Sequence, residues 1–288
     1  MFDEAFLRRL EQLALVARQV RHGRTQGERR SPKRGRSVEF ADYRDYVPGD
    51  DLRMVDWNVY ARLGRLFVKL FAEEEDTTVH FLLDASESMR FGQPRKWDYA
   101  MRLAGALGYI ALVGMDRITA AVMHEGRLTT MPPIRTKRQA LAWFDWLQAI
   151  RPGGEAHLGP AMREYAARAQ AIGPAVVIGD LLDPSWDEGL SALFTWRFEV
   201  TVLHVLSPEE VNPDLEGDLE LIDSETGQAV EITADYDLLM RYRDRVEAWR
   251  TQIKDFCAQR EMNYVAIETS VSLEALLFSH LRVRAVLR

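Results

Sequence analysis

Cysteine is nearly absent from this chain of 288 residues. Cys257 stands alone, which excludes an intramolecular disulfide and any cysteine-rich zinc framework. Long apolar runs are missing too. The longest weakly polar stretch, Leu103 to Met115, falls short of the roughly 20 residues that a membrane-spanning helix needs. The acidic start Met1-Phe2-Asp3-Glu4 is unlike the basic leader of a signal peptide. A cytoplasmic protein with no membrane span is expected. Catalytic signatures are also lacking: there is no phosphate-cradling G-x-x-x-x-G-K-[ST], which argues against ATP hydrolysis, and no G-x-S-x-G nucleophile turn. The six histidines, at 22, 80, 124, 157, 204 and 280, show no metal-pair spacing. His80 and His204 fall inside strand patterns, where a packed or surface role is expected.

Hydrophobic residues make up 47% of the chain, enough to build a sizeable core. Charge is unevenly spread. Residues 1–37 hold ten Lys/Arg against four Asp/Glu, a surplus of +6 that leaves −13 for the rest of a chain whose net charge is −7. Such a basic arm can bind nucleic acid by displacing phosphate counterions. No aromatic residue interleaves with "RQVRHGRTQGERRSPKRGR", however, so stacking on bases has no support. A solvated basic segment on an acidic body is the preferred reading, and nucleic acid is not an expected partner.

Apolar residues at Phe6, Leu10, Leu13, Ala14 and Ala17 predict a helix over Phe6–Val20. "YVPGDDLRMVDWNVYARLG" reads as a second helix, capped by Asp50 or Asp51, with Leu52, Val55, Val59 and Leu63 on one face and Gly64 closing it. "RLFVKLFAEEED" alternates through Leu66, Val68 and Leu70 as a half-buried strand. From Thr77 onward, strands at Thr78–Leu83, Arg117–Met123, Ala175–Ile178, Val200–Leu206 and Tyr264–Ile267 are separated by helical patterns. The helices are expected at Lys96–Val113, Lys137–Ile150, Leu158–Ala169, Glu188–Phe194, Asp235–Arg260 and Leu273 to about Arg282, with a hairpin around Glu225-Thr226-Gly227. This alternation predicts a doubly wound α/β fold, a largely parallel sheet with helices on both faces, behind an N-terminal helix and strand extension. The expected division is residues 1–75 and 76–288.

In such sheets function sits beyond the carboxyl ends of the strands, at a topological switch point. Asp84 ends "VHFLLD" and Asp180 ends "AVVIGD", two apolar strands that each stop in a charge. Ser86 and Ser88 follow Asp84 at alternate positions, so the cluster offers only hard oxygen ligands of the kind suited to Mg2+, Mn2+ or Ca2+. A metal site, a catalytic nucleophile and a polar turn all remain open at this point. The catalytic alternative is a divalent-metal-assisted phosphatase or hydrolase using Asp84 and Asp180. An aspartyl-phosphate enzyme would want a second acid two residues after Asp84, where this chain has Ser86.

A strand ending in Asp84-Ala85-Ser86-Glu87-Ser88 within an alternating α/β chain resembles the von Willebrand factor A domain, whose D-x-S-x-S forms a metal-ion-dependent adhesion site. Upstream, "EFADYRDYVPGDDLRMVDWNVYARLGRLFVK", with Arg44, Tyr46, Gly49, Asp50, Arg53, Asp56, Trp57, Ala61 and Arg62, resembles the signature of the bacterial domain-of-unknown-function-58 family, whose members carry such a domain. The resemblance covers roughly residues 33–284. It implies a non-enzymatic, chaperone-like adaptor, with no catalytic residue, that partners a MoxR-type AAA+ ATPase and its client in protein maturation, metal insertion or stress response. It also implies metal ligation by Asp84, Ser86, Ser88 and Asp180, with Mg2+ (or Mn2+ or Ca2+) as the ion. One ligand departs from the pattern. Aligning "GGEAHLGPAM" with the second adhesion loop puts Ala156 where a threonine ligand is expected, and a methyl group cannot coordinate; Glu155 and His157 are the neighbouring substitutes. The paired charges of the signature segment are read as structural, fastening the N-terminal elements to the α/β body, with a partner-docking surface as the functional alternative.

Overall fold

The computed structural model describes residues 2–11, 38–73, 77–224 and 227–280. The chain divides into two compact units, Met1–Thr25 with Thr77–Arg288, and Gln26–Asp76. Helix α1 is described over residues 4–11. The basic stretch, the rest of the expected first helix, Glu225-Thr226, and the expected end of the last helix near Arg282 lie outside the described residues.

The smaller unit pairs strand β1 (Val38–Asp45) antiparallel with β2 (Phe67–Glu73), with helix α2 (Trp57–Leu63) between them. The expected helix start at Asp50 or Asp51 is corrected here. Asp51 caps only a 3-10 turn, Leu52–Met54, after which Val55 is extended and bridges to Val68. That bridge breaks the helical frame, so α2 begins anew with Asp56 as its N-cap; the carboxylate accepts from the N–H groups of Asn58 at 2.9 Å and Val59 at 3.2 Å. Gly64 ends the helix at φ 66°, the left-handed position its sequence suggested. Strand β1 escaped the pattern reading because "VEFADYRD" shows no clean alternation; its partner β2 defines it, through a register shift between Phe40 and Asp42.

In the larger unit, the chain runs β3 (Thr78–Asp84), α3 (Lys96–Val113), β4 (Arg117–His124), β5 (Arg127–Ile134), α4 (Ala140–Ala149), α5 (Leu158–Arg168) and β6 (Pro174–Gly179). It continues through α6 (Trp186–Thr195), β7 (Glu199–Leu206), a short α7 (Pro208–Val211), the hairpin β8 (Gly217–Ile222) and β9 (Ala229–Ala234), α8 (Tyr236–Gln259), β10 (Asn263–Glu268) and α9 (Leu273–Ala275). Six strands form one sheet in the order β10-β7-β6-β3-β4-β5, all parallel except β5. This is the doubly wound α/β fold. β5 is an addition to the expected strands: Pro132 and Pro133 cannot donate to a ladder, which hides the strand from pattern reading and suits it to the sheet edge it occupies. A two-residue turn, Glu125 at φ 49° and Gly126 at φ 64°, joins it to β4 with the twist a tight hairpin requires.

Every residue of β3 is buried, and alternate side chains feed two cores. Phe81 and Leu83 join the core built with α1, α3, α4 and α9, while Leu82 joins the one built with α5, α6 and α8. Helix α1 belongs to the first core through Leu10, which is fully buried and contributes about 1.5–3 kcal/mol by that burial. Its Glu11 accepts from Tyr109 Oη and Lys137 Nζ, each at 2.7 Å, and Arg9 pairs with Glu274 at 2.8 Å. Cys257 lies in the second core, where burial pushes its thiol up to about 12 and makes it inert at neutral pH. Among the described residues, no helix is long and apolar enough to cross a membrane.

Candidate functional site

The chain leaves β3 toward β4 and β5, then crosses back to lay β6 on the other side of β3. That reversal opens a crevice at the carboxyl ends of β3 and β6. Asp84 is the last residue of β3, and Asp180 follows Gly179, the last residue of β6. The two strand ends approach so closely that a Cβ on Gly179 would lie 2.5 Å from Asp84 Cβ. Glycine is required there by contact, not by backbone angle.

The four residues singled out from the sequence come together. Asp84, Ser86 and Asp180 are buried and Ser88 is half-buried. Asp84 Oδ1 accepts from the Ser86 N–H at 2.9 Å, the two serine hydroxyls lie 2.9 Å apart, and Ser88 Oγ donates to Asp180 Oδ2 at 2.8 Å. Asp180 Oδ1 accepts from the Leu182 N–H at 3.1 Å. The second loop closes on the first through the backbone, Gly153 N–H to Ala85 O at 2.9 Å and Glu87 N–H to Gly154 O at 2.8 Å. Ala156 is buried in the second core, and Glu155 and His157 pair with each other at 3.3 Å, both about half exposed.

Three further residues complete the cluster, and none was recognised from sequence. Lys96, the first residue of α3, is fully buried; its Nζ donates to Asp180 Oδ2 at 2.6 Å and also to Glu210 Oε1. Glu210 is fixed by a capping box at the start of α7, where its Oε2 accepts from the Ser207 N–H at 2.8 Å. Burial pulls the Lys96 ammonium toward neutrality, but the charges of Asp180 and Glu210 and hydrogen bonds to both outweigh it and hold its pKa above the ordinary lysine value. Burial also raises Glu210 above the usual carboxylate range, which Lys96 opposes in part. One ammonium shared by two carboxylates secures its own charge more completely than that of Glu210.

His204, in β7, donates from Nε2 to the Asp180 carbonyl oxygen at 2.8 Å. A carbonyl only accepts, so Nε2 carries the proton, and Nδ1 then accepts from Tyr264 Oη at 2.7 Å. Burial depresses this imidazole to about 4, so it is neutral at physiological pH and holds the Asp180 backbone in place. The one sequence signal for Lys96 is a cation at the first position of a largely apolar helix, where the helix dipole disfavours it.

The arrangement does not fit a dication as it stands. Asp180 Oδ2 already accepts from both an ammonium and a hydroxyl, the two serine oxygens engage each other, and the second loop offers a buried methyl at Ala156. Among the described residues, no three His, Cys, Asp or Glu side chains converge as a ligand set.

The signature residues lie in the smaller unit. Arg44 grips Asp50 with both guanidinium nitrogens, at 2.8 and 2.9 Å, and this hydrogen bonding lowers the Asp50 carboxyl, which also accepts from the Val47 N–H at 2.8 Å. Gly49 takes φ 110° in that turn, and Tyr46 N–H reaches Leu66 O at 3.0 Å. Asp56, besides capping α2, accepts from Tyr43 Oη at 2.8 Å, and Trp57 meets Tyr60 edge-on at 6.1 Å. Of the charges expected to pair in this segment, Arg44 and Asp50 do so, and among the described residues Arg53 and Arg62 form no ion pair.

A family profile described as "Protein of unknown function DUF58" matches residues 42–252. Uncharacterized proteins of Mycobacterium bovis and Mycobacterium tuberculosis are each 31% identical over 234 residues, covering 78% of this chain and 73% of their own length. Among solved structures, the conserved hypothetical protein BatB from Bacteroides thetaiotaomicron is similar at 16% identity and a TM-score of 0.46, over 73% of this chain and 98% of that one. The VWA domain of SpRpn10 is similar at 10% identity and a TM-score of 0.41, over 72% of this chain and 95% of that one. The profile match and the mycobacterial relatives establish that the chain belongs to the DUF58 family.

Proposed function

We propose that this chain is a non-enzymatic adaptor that binds protein partners at the carboxyl rim of its sheet, around Asp84, Ser86, Ser88 and Asp180. The observation that carries this reading is the character of the rim. The two loops that bear the cluster each expose one large apolar side chain, Phe91 at 52% and Leu182 at 51%, beside carboxylates that are tied down. A catalytic site would instead need a polarised nucleophile and a base with a matched pKa. Here the nearest imidazole is neutral and bound to a backbone carbonyl. The partner is a MoxR-type AAA+ ATPase with its client, in protein maturation, metal insertion or stress response; the basis for this choice is the family resemblance of the segment from Arg44 to Arg62. Retention of a purified MoxR-type ATPase by the immobilised chain tests it. Binding by wild type that falls sharply in Phe91→Ser and Leu182→Ser is expected, and a folded wild type that retains none sinks the reading. Turnover of phosphoester substrates that vanishes in Asp84→Asn would favour the hydrolase alternative.

A further inference from the structure

We propose that the ammonium of Lys96 is the resident cation of this cluster, so that the rim is organised without a divalent metal and a dication site arises only when Lys96 is removed. Lysine is almost never fully buried unless its charge is paired, yet this side chain has no exposed surface. It also starts α3, where the helix dipole opposes a positive charge. Neither local propensity nor hydrophobicity accounts for the placement. What does is the company the nitrogen keeps: Asp180 Oδ2 at 2.6 Å and Glu210 Oε1, two carboxylates that burial would otherwise leave uncompensated.

The contacts form one chain. Asp84 holds the Ser86 N–H, Ser86 meets Ser88, Ser88 donates to Asp180, and Asp180 and Glu210 share Lys96. A single tethered cation thus joins the loop after β6 to the turn after β7, the bridging task a bound ion performs between loops. Mg2+ or Mn2+ demands a near-octahedral set of oxygens at about 2.0–2.1 Å. Supplying it here means driving the ammonium off Asp180, and because the ammonium is covalently attached it competes at a very high effective concentration. The buried methyl of Ala156 on the second loop fits the same picture, since the acceptors of the ammonium, Asp180 and Glu210, both lie outside that loop.

Titration of the full chain with Mn2+, followed by the loss of the free-ion paramagnetic signal and by calorimetry, tests this. Lys96→Met is expected to bind one Mn2+ on the order of 10–100-fold more tightly than wild type, the scale on which single groups change metal affinity, and adding Asp180→Asn should cancel the gain. Wild type that binds one Mn2+ as tightly as Lys96→Met overturns the proposal, as does a folded Lys96→Met chain that gains nothing. Should Lys96→Met fail to fold, wild type decides alone. A melting temperature indifferent to chelator and to added Mn2+ supports the resident ammonium; one that Mn2+ raises and chelator lowers, with the response lost in Ser88→Ala, overturns it.

Discussion

The Nε2 of His204 lies 2.8 Å from the carbonyl oxygen of Asp180. The imidazole is fully buried and wedged edge-on against Trp249 at 4.8 Å, so the hydrogen bond fixes the backbone on which the loop after β6 turns. Leu181, the next residue, sits at φ 55°, a strained left-handed conformation that this fixation helps to sustain. His204→Phe fills the same space but leaves the Asp180 carbonyl and the Tyr264 hydroxyl without this partner. A loss of about 1–3 kcal/mol in urea unfolding is expected, the cost of an unsatisfied buried polar group. A loss under a few tenths would show that the bond does not hold the loop.

Two buried imidazoles give the fold an acid limit. Burial depresses both His80 and His204 to about 4, against an ordinary value of 6.5. Between those values the unfolded chain binds protons that the folded chain refuses, so stability rises with pH there. The contribution is fully present above about 6.5 and is lost as pH falls through about 4, amounting to at most about 3 kcal/mol per histidine. His80 packs between Tyr165 and Phe198, with ring centroids 5.8 and 5.0 Å away. His80→Phe keeps this ring packing, gives up the 2.7 Å hydrogen bond between Nδ1 and Tyr165 Oη, and should flatten the slope of unfolding free energy between pH 6.5 and pH 4.5. Parallel curves for variant and wild type would contradict this.

Gly179 is where the site is most intolerant of added volume. An alanine methyl there would meet Asp84 Cβ at 2.5 Å and Asp84 Oδ2 at 3.1 Å, atoms close to a strand backbone that cannot swing aside. Gly179→Ala should destabilise the larger unit by about 1–3 kcal/mol, typical of overpacking, and should also abolish partner retention by forcing Asp84 and Asp180 apart. Calorimetric melting together with the retention assay separates the two effects.

Pattern reading located the fold and four of the seven residues that cluster at the rim for a definable reason. Strands β3 and β6 are apolar runs ending in a charge, a local signal, and α3 runs Lys96–Val113 as its periodicity and length indicated. Lys96, Glu210 and His204 were not legible, because their roles rest on contacts 84, 114 and 24 residues apart along the chain, which no local periodicity encodes. Strand β5 was masked by its prolines and β1 by its acids. The start of α2 was misplaced because two aspartates, Asp51 and Asp56, both make N-cap bonds and only a tertiary bridge at Val55 shows which one begins the helix. Asp56→Ala should accordingly lower the local stability of the smaller unit by about 1–2 kcal/mol, the usual worth of an N-cap, while Asp51→Ala costs less. Hydrogen exchange of the amides at Asn58 and Val59 reads this directly, and equal effects from both variants would refute the assignment.

Ala156 separates two explanations for a rim proposed to do without a dication: a ligand missing from the second loop, or a cation already supplied by Lys96. If the missing oxygen alone were decisive, Ala156→Thr would create Mn2+ affinity in an otherwise wild-type chain. The buried contact of Lys96 with Asp180 argues otherwise, because a new hydroxyl does nothing to free Oδ2. Ala156→Thr alone is expected to leave Mn2+ affinity unchanged and to cost about 1–3 kcal/mol, since it puts extra volume and a hydroxyl into a packed core. In combination with Lys96→Met the same threonine should tighten Mn2+ binding beyond that of Lys96→Met. A single Ala156→Thr variant that binds Mn2+ stoichiometrically would assign the difference to the second loop and remove Lys96 from the explanation.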